Sequence, residues 1–462
     1  MMTSTPYRER RAQLAQALRD AGGGLAIVMT APEALRSRDS DHPFRHDSYF
    51  HYLTGFDEPQ SGLVLRADGH CVLFCREKSV EHEIWDGHRL GPQAAPQALG
   101  VDEAHPIDQL DAKLPELMNH QPAVWTVFGA PGGLAQRVAG WLATARDRSH
   151  LGSTSPGTHR DLALLLDEMR LIKSAQELAT MRRAAAISAG AHTRAMRFSA
   201  QRFREEPTGT VREYEIEAEL LHEFRRHGAQ SPAYPSIVAA GANACVLHYA
   251  AGDTELKAGE LCLIDAGCEL DGYASDITRT FPADGRFSPA QRELYDIVVA
   301  AQEAAVTATR PGARHRDAHA AALRVLAQGM LDTGLLSRDQ HGSLDDVIAS
   351  TAYRQFYMHG TGHWLGRDVH DVGEYLALDE APLEQPDGLG GRVVKPPSRV
   401  LQPGMVVTLE PGLYVRPAEG VPERYWNIGI RIEDDAVITG TGCELISRGA
   451  PVSATEIEAW MK

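Results

Sequence analysis

The sequence predicts an α+β protein in two parts, a smaller α/β domain over residues 1–172 and a larger α+β domain over residues 173–462. Three observations point there. The 462 residues exceed what a single hydrophobic core usually organises. Short apolar runs alternate with glycine turns and with segments of helical period along the chain. A Gly/Ser/Thr/Pro cluster at 152–158 interrupts that pattern shortly before a strong helix start at Ser174.

Residues 7–20 have the pattern of a helix, and Leu25–Met29 reads as a buried strand. Gly62–Arg66 and Cys71–Cys75 flank Asp68-Gly69, a dipeptide that favours a hairpin turn. The apolar run Asp161–Met169 follows the small-residue cluster. Ser174 with Glu177 has capping-box spacing, each side chain able to satisfy a free amide of the first helical turn. Leu178, Met181, Ala185 and Ala189 then form the apolar stripe of a long helix. The domain boundary is therefore expected near residue 172. Thr210 and Glu213 repeat the capping spacing, and Ser288-Pro289 with Gln291 starts a further helix, since proline at the first helical position loses no hydrogen bond. Between Asp379 and Val400 four prolines and Gly388-Leu-Gly-Gly391 exclude a helix or central strand. That loop is open to two readings, the wall of a cleft or a surface excursion.

Composition narrows the partners. Lys and Arg total 46 against 62 Asp and Glu, a formal charge of -16, which argues against a nucleic-acid partner. Met1–Gly24 is charged and polar throughout, unlike a secretory signal, and no run approaches the roughly 18 apolar residues of a membrane span. Six cysteines without a CxxC pair read as free thiols in a reducing compartment. A cytoplasmic protein with no membrane partner is expected.

The chemistry-bearing residues lie in the second part. Asp265 and Asp276 stand 11 positions apart around a turn. A hairpin closed between Leu270 and Asp271 would set them face to face on neighbouring strands, with Cβ atoms about 5 Å apart. Carboxylates that close repel unless a proton or cation lies between them. A surface turn rich in acids is the plainer reading of this segment taken alone. His359 and His363 lie four apart among glycines that oppose a helix, and His370 follows. A lone histidine defaults to packing; three in this short stretch point to ligation or to donation toward an oxyanion. Glu410 ends an apolar run before Pro411, and Glu433 follows the alternation of Ile428, Ile430 and Ile432. Arg431 shares the face of Glu433 by the two-residue period and is expected to hold that carboxylate. Asp265, Asp276, His363, Glu410 and Glu433 make an oxygen-rich set suited to Mn²⁺ or Co²⁺, with Zn²⁺ and Fe²⁺ open. Residue types and spacing thus lead as far as a dinuclear hydrolase.

These segments resemble the aminopeptidase P branch of the creatinase, prolidase and methionine aminopeptidase superfamily (peptidase family M24). Asp265-Ala-Gly and Ser275–Phe281 are similar to its paired-aspartate hairpin. His359-Gly-Thr-Gly-His363, Val369-His-Asp371, Thr408–Tyr414 and Gly429–Asp434 are similar to its remaining blocks, in order. Phe44–Phe56 resembles a segment of the creatinase-type N-terminal domain, and Glu168–Lys173 the entry to the catalytic domain. The loop at 379–400 looks longer than the group's.

The resemblance implies a pita-bread catalytic domain behind a creatinase-type α/β domain. It implies two divalent metal ions, most simply Mn²⁺: Asp265 on the first, Asp276 and Glu433 bridging both, His363 and Glu410 completing the second. His248, His359 and His370 become substrate-facing or supporting residues, and Glu410 a proton shuttle. The implied reaction is hydrolysis, by a metal-bridging hydroxide, of the bond before a proline at the second position of a peptide, in a homodimer or homotetramer. Prolidase, which takes only Xaa-Pro dipeptides, is the nearest alternative. Metal-free creatinase chemistry is disfavoured because four close carboxylates without cations are electrostatically costly. An inactive binding scaffold would be expected to lack ligands, and none is missing.

Overall fold

A computed structural model describes residues 5–387 and 389–462. Met1–Ser4, at the start of the polar N-terminal segment, and Gly388, in the long loop, lie outside the described residues. The chain divides between Met169 and Arg170 into two compact units.

In the first unit a mixed six-stranded sheet has the order Glu103–Pro106, Cys71–Cys75, Gly62–Arg66, Leu25–Met29, Ala123–Thr126, Thr158–Asp161. The expected hairpin is present, with Leu63 opposite Leu73 and Val64 opposite Val72. Its apolar runs are continuous because both faces are covered. Leu25, Ile27, Val64, Val72 and Phe74 enter one core with Leu110, Leu114 and Trp141. The alternate residues Ala26, Val28, Leu63, Leu65 and Leu73 enter another with Leu14, Leu18 and Phe50. The helix Thr5–Asp20 supplies Leu14 and Leu18 to the second of these cores.

The second unit begins with the helix Ala175–Glu205, opened by the expected capping box: the Ser174 amide donates to Glu177 at 2.9 Å, and the Glu177 amide donates back to Ser174 Oγ. The cap expected at Thr210 lies elsewhere. Thr210 belongs to a short strand paired with Glu255–Lys257, and the helix Glu213–Arg226 starts at Arg212, whose amide donates to Glu215 at 2.8 Å. Pairing keeps Thr210 and Val211 extended, so the cap falls two positions later, on Arg212 at the strand's end. Pro289–Ala308 begins at Ser288 as expected.

The strands that carry the predicted acids are short and buried. Leu261–Asp265 lies between Ile237–Ala240 and Thr278–Pro282, antiparallel to both. Val406–Leu409 pairs with Asp434–Ile438, and Gly412–Val415 with Ile428–Arg431. The main core joins them to the helices, with Ala184, Ala191 and Met196 meeting Val238, Ile264 and Cys268 in one cluster that also holds Leu294, Leu409 and Ile430. The six cysteines are free, and among the described residues no helix is long and apolar enough to cross a membrane.

The paired-aspartate hairpin closes one residue later than expected. Asp271 and Gly272 both take positive φ, 51° and 73°, the backbone of a type I′ turn, which Asp-Gly favours. Asp265 therefore faces Thr278 rather than Asp276, which becomes its diagonal neighbour on the same face. Close approach fixes two glycines of the flanking blocks: a Cβ at Gly267 would overlap the Ser275 carbonyl, and one at Gly362 the Thr408 carbonyl.

The long loop forms an exposed hairpin, Leu383–Pro386 against Arg392–Lys395. Beside its base, Asp371 is buried between two cations, accepting from Arg170 Nη2 at 2.6 Å and from Lys173 Nζ at 2.9 Å. Burial pushes the Asp371 carboxyl up, but Lys173 and Arg170 more than offset it and hold the group below its ordinary value. Asp371→Ala takes the carboxylate from Lys173 and leaves Arg170 with Asp368, and a loss of about 3–5 kcal/mol is expected in urea unfolding. Because the folded-state value is depressed, the wild-type contribution is present above about pH 4 and is lost as the pH falls through the folded-state value. The variant's deficit should shrink correspondingly in acid.

Candidate metal centre

Strand ends deliver the predicted acids to one place. Asp265 is the last residue of Leu261–Asp265, Glu410 follows Val406–Leu409, and Glu433 lies between Ile428–Arg431 and Asp434–Ile438. His363 is set by a reciprocal pair: its amide donates to Thr408 Oγ1 at 3.1 Å and its carbonyl accepts from the Thr408 amide at 3.0 Å. A cavity of about 610 Å³ is lined by Asp265, Asp276, His363, Glu410 and Glu433, and also by His248, His359, His370 and Arg431. All nine predicted site residues thus converge.

Within it, ligand atoms of Asp276, His363 and Glu433 lie within 4.8 Å of one another. His363 Nε2 is 3.3 Å from Asp276 Oδ2 and 3.8 Å from Glu410 Oε1, while its Nδ1 is 2.9 Å from the Trp364 carbonyl. That second contact engages Nδ1–H as a donor and leaves Nε2 directed at the carboxylates. Tyr234 Oη is 2.7 Å from Asp265 Oδ1 and 2.5 Å from Asp276 Oδ1. A phenol has one proton, so it serves one carboxylate at a time and cannot neutralise the pair.

Four carboxylates here face the Arg431 guanidinium and the His363 imidazole, and the titration behaviour follows. Burial drives the Glu410 carboxyl up to about 7, against the opposing pull of His363 and Arg431. Burial, then the neighbouring Asp276 and Glu410, raise Glu433 well above the carboxylate range, and burial raises Asp276. For His363 burial works downward, but Asp276 and Glu410 outweigh it and lift the imidazole to about 9. Each shift favours taking up positive charge. The donors are mostly hard oxygens with one imidazole, which fits first-row divalent cations.

Arg431 departs from the expectation that it holds Glu433. Its Nη2 donates to Asp265 Oδ2 at 2.7 Å, its Nε to Thr278 Oγ1 at 3.2 Å and its Nη1 to Tyr414 Oη at 3.0 Å. Residues 428–431 pair with Gly412–Val415 and Glu433 lies past the strand end, so the simple two-residue period no longer sets its partner. Glu433 instead accepts from Thr278 Oγ1 at 2.6 Å. His359 closes the other end of this chain of contacts: Nδ1 lies 2.6 Å from the Gly360 carbonyl, so Nε2 accepts from Tyr414 Oη at 2.8 Å. Burial, then Arg431, lower the His359 imidazole to about 3, which keeps it neutral. His370 stacks on His363 at 3.9 Å.

The model of metallopeptidase family M24 matches residues 179–440, and that of the aminopeptidase P N-terminal domain matches residues 7–126. The chain belongs to metallopeptidase family M24. It is 43% identical to the Xaa-Pro aminopeptidase of Escherichia coli over 98% of this chain and 97% of that one. The structure of Pseudomonas aeruginosa aminopeptidase PepP superposes with a TM-score of 0.88 at 44% identity, over 98% of both chains. Proline aminopeptidase P II from Yersinia pestis gives 0.89 at 43% identity, over 100% of this chain and 99% of that one. As in this family, the catalytic part has the pita-bread fold and follows a separate N-terminal domain.

Tyr234 and Thr278 were not singled out by the sequence. Tyr234 sits between Ala233 and Pro235, remote from every acidic block, and nothing local marks it. Thr278 had a signal: the Asp-Gly turn fixes the register that sets it opposite Asp265. A second trio, His46, His51 and Asp57, lies in the N-terminal unit, where the 73% exposed Asp57 takes His51 Nε2 at 2.8 Å and His46 Nδ1 at 3.2 Å. Thr278→Val keeps shape but removes the donor to Glu433. Manganese affinity, measured by calorimetry, is expected to fall about tenfold to a hundredfold while the far-UV spectrum is unchanged.

Proposed function

We propose that this chain is a two-metal aminopeptidase that removes the N-terminal residue preceding proline from peptides. The observation that carries the reading is one cavity uniting four carboxylates and an imidazole in a family M24 chain so closely similar to an Xaa-Pro aminopeptidase. Asp265 would hold the first ion, Asp276 and Glu433 would bridge, and His363 and Glu410 would complete the second position. The oxygen-rich set favours Mn²⁺. Bound divalent ions supply Lewis acidity and lower the pKa of water toward neutrality.

The protein's own groups then have separable tasks. The acidic cavity attracts the substrate α-ammonium group, which the peptide backbone carries only at its start, so geometry and charge make the cleavage exopeptidic. Glu410 takes the proton from the attacking water and passes it to the prolyl nitrogen, which must be protonated to leave as an amine. His248 or His370 donates to the carbonyl oxygen as negative charge develops there. His359, held by Tyr414 and Gly360, shapes the pocket for the proline ring. A bond to proline has no N–H, so ring shape is the feature available for recognition. Residues 173–462 form the catalytic domain in this reading. The protein is cytoplasmic and assembles as a homodimer or homotetramer, which sedimentation would measure.

Chelator-stripped protein is expected to lose turnover of Xaa-Pro-Xaa tripeptides and to recover it with Mn²⁺; equal rates with and without metal would contradict the reading. Tripeptides should be cleaved and Xaa-Pro dipeptides spared, the reverse result favouring a prolidase. Glu410→Ala should lower kcat by at least about a hundredfold with the circular dichroism spectrum retained.

A further inference from the structure

A second cavity of about 590 Å³ lies beside the metal centre and shares His359, Gly360 and Gly362 with it. The segment 359–362 therefore borders both chambers, and their charges oppose. The first is dominated by Asp265, Asp276, Glu410 and Glu433. The second carries Arg316, Arg354 and Lys395 with a single lining carboxylate, Asp387. In a chain of net charge -16, a concavity dominated by cations runs against the background.

These cations come from three separate elements: the helix His315–Asp332, the short turn Ala352–Gln355 and the hairpin Leu383–Pro386/Arg392–Lys395. The hairpin is pinned at its base, where the Ala377 amide donates to the Pro397 carbonyl at 2.9 Å and Glu380 pairs with Arg314 at 2.6 Å. Asp387 is engaged by its own turn, accepting from the Leu389 and Gly391 amides at 2.7 and 2.9 Å. The carboxylate nearest the chamber is thus turned toward backbone donors of its own loop.

We propose that this second chamber receives the C-terminal carboxylate of a short peptide whose ammonium end lies in the first, with Arg316 and Lys395 as its binding residues. The proposal rests on the aminopeptidase reading. Opposite ends of a peptide carry opposite charges, so two adjoining chambers of opposite sign fix its direction and favour short peptides with a free terminus. The long hairpin supplies Lys395 and the wall of that chamber, so it sets peptide length.

The test compares manganese-loaded enzyme on Ala-Pro peptides extended by one to four alanines, each as free acid, as amide, and as amide ending in glutamate. At one length the free acid should exceed the amide roughly threefold to tenfold in kcat/KM, chiefly through KM. In an R316A/K395A double variant of unchanged melting temperature that ratio should approach one, and Lys395→Glu should invert it. Equal rates for acid and amide at every length in active wild-type enzyme would overturn this inference alone. Full recovery of the advantage by the glutamate amide would show that the chamber reads an acidic side chain, and would overturn the terminal assignment. No cleavage of any peptide would overturn the aminopeptidase reading itself.

Discussion

Mutual repulsion of buried carboxylates is the constraint around which the second unit is organised. Asp276 and Glu433 are 5% and 2% exposed, and Asp265 and Glu410 line the same cavity. Like charges gathered in a poorly solvated space raise the folding free energy unless positive charge is supplied. The protein supplies only part of it. Arg431 is committed to Asp265, and His363 stands between Asp276 and Glu410. Two divalent cations would satisfy the remainder, so the electrostatic cost of gathering these carboxylates and the chemistry they would support have the same origin.

Holding such a cluster needs a rigid surround, and the strands provide it with buried polar pairs. Arg279 is fully buried, donating to Asp434 at 2.7 Å and to the carbonyls of Thr278 and Pro451 at 2.9 Å. It ties the strand of Thr278 to the segment bearing Glu433. Asp435 receives the Asp276 amide at 3.2 Å, a further link between the same two regions. Asp265, Glu410 and Glu433 thus sit at strand ends whose neighbours are fixed by groups that would be costly to leave unpaired. Glycine permits the close contacts: without Gly267 and Gly362 the strands bearing the acids could not approach at these separations.

Much of this was legible before any coordinates. Side-chain chemistry and spacing marked eight of the nine residues that line the cavity, because residue type is written locally even when convergence is not, and the family resemblance added His248. The capping boxes at Ser174 and Ser288 were legible for the same reason: each depends on atoms within one helical turn. What depended on tertiary pairing was less accessible. The start of the helix at Glu213 yielded to strand pairing at Thr210, and the partner of Arg431 was decided by strands distant in sequence. The reversal at Asp271-Gly272 was misplaced by one residue, enough to exchange Thr278 for Asp276 opposite Asp265. Tyr234 could not be found at all, since its role comes only from being folded against two aspartates that follow it by 31 and 42 residues.

Two shared cations would account for the convergence of four distant carboxylates and His363. Anomalous diffraction from crystals equilibrated with Mn²⁺ addresses it directly. Two peaks are expected, one against Asp265 and one against His363 and Glu410, with Asp276 and Glu433 touching both. A single peak, or peaks away from these side chains under metal-replete conditions, would contradict the account.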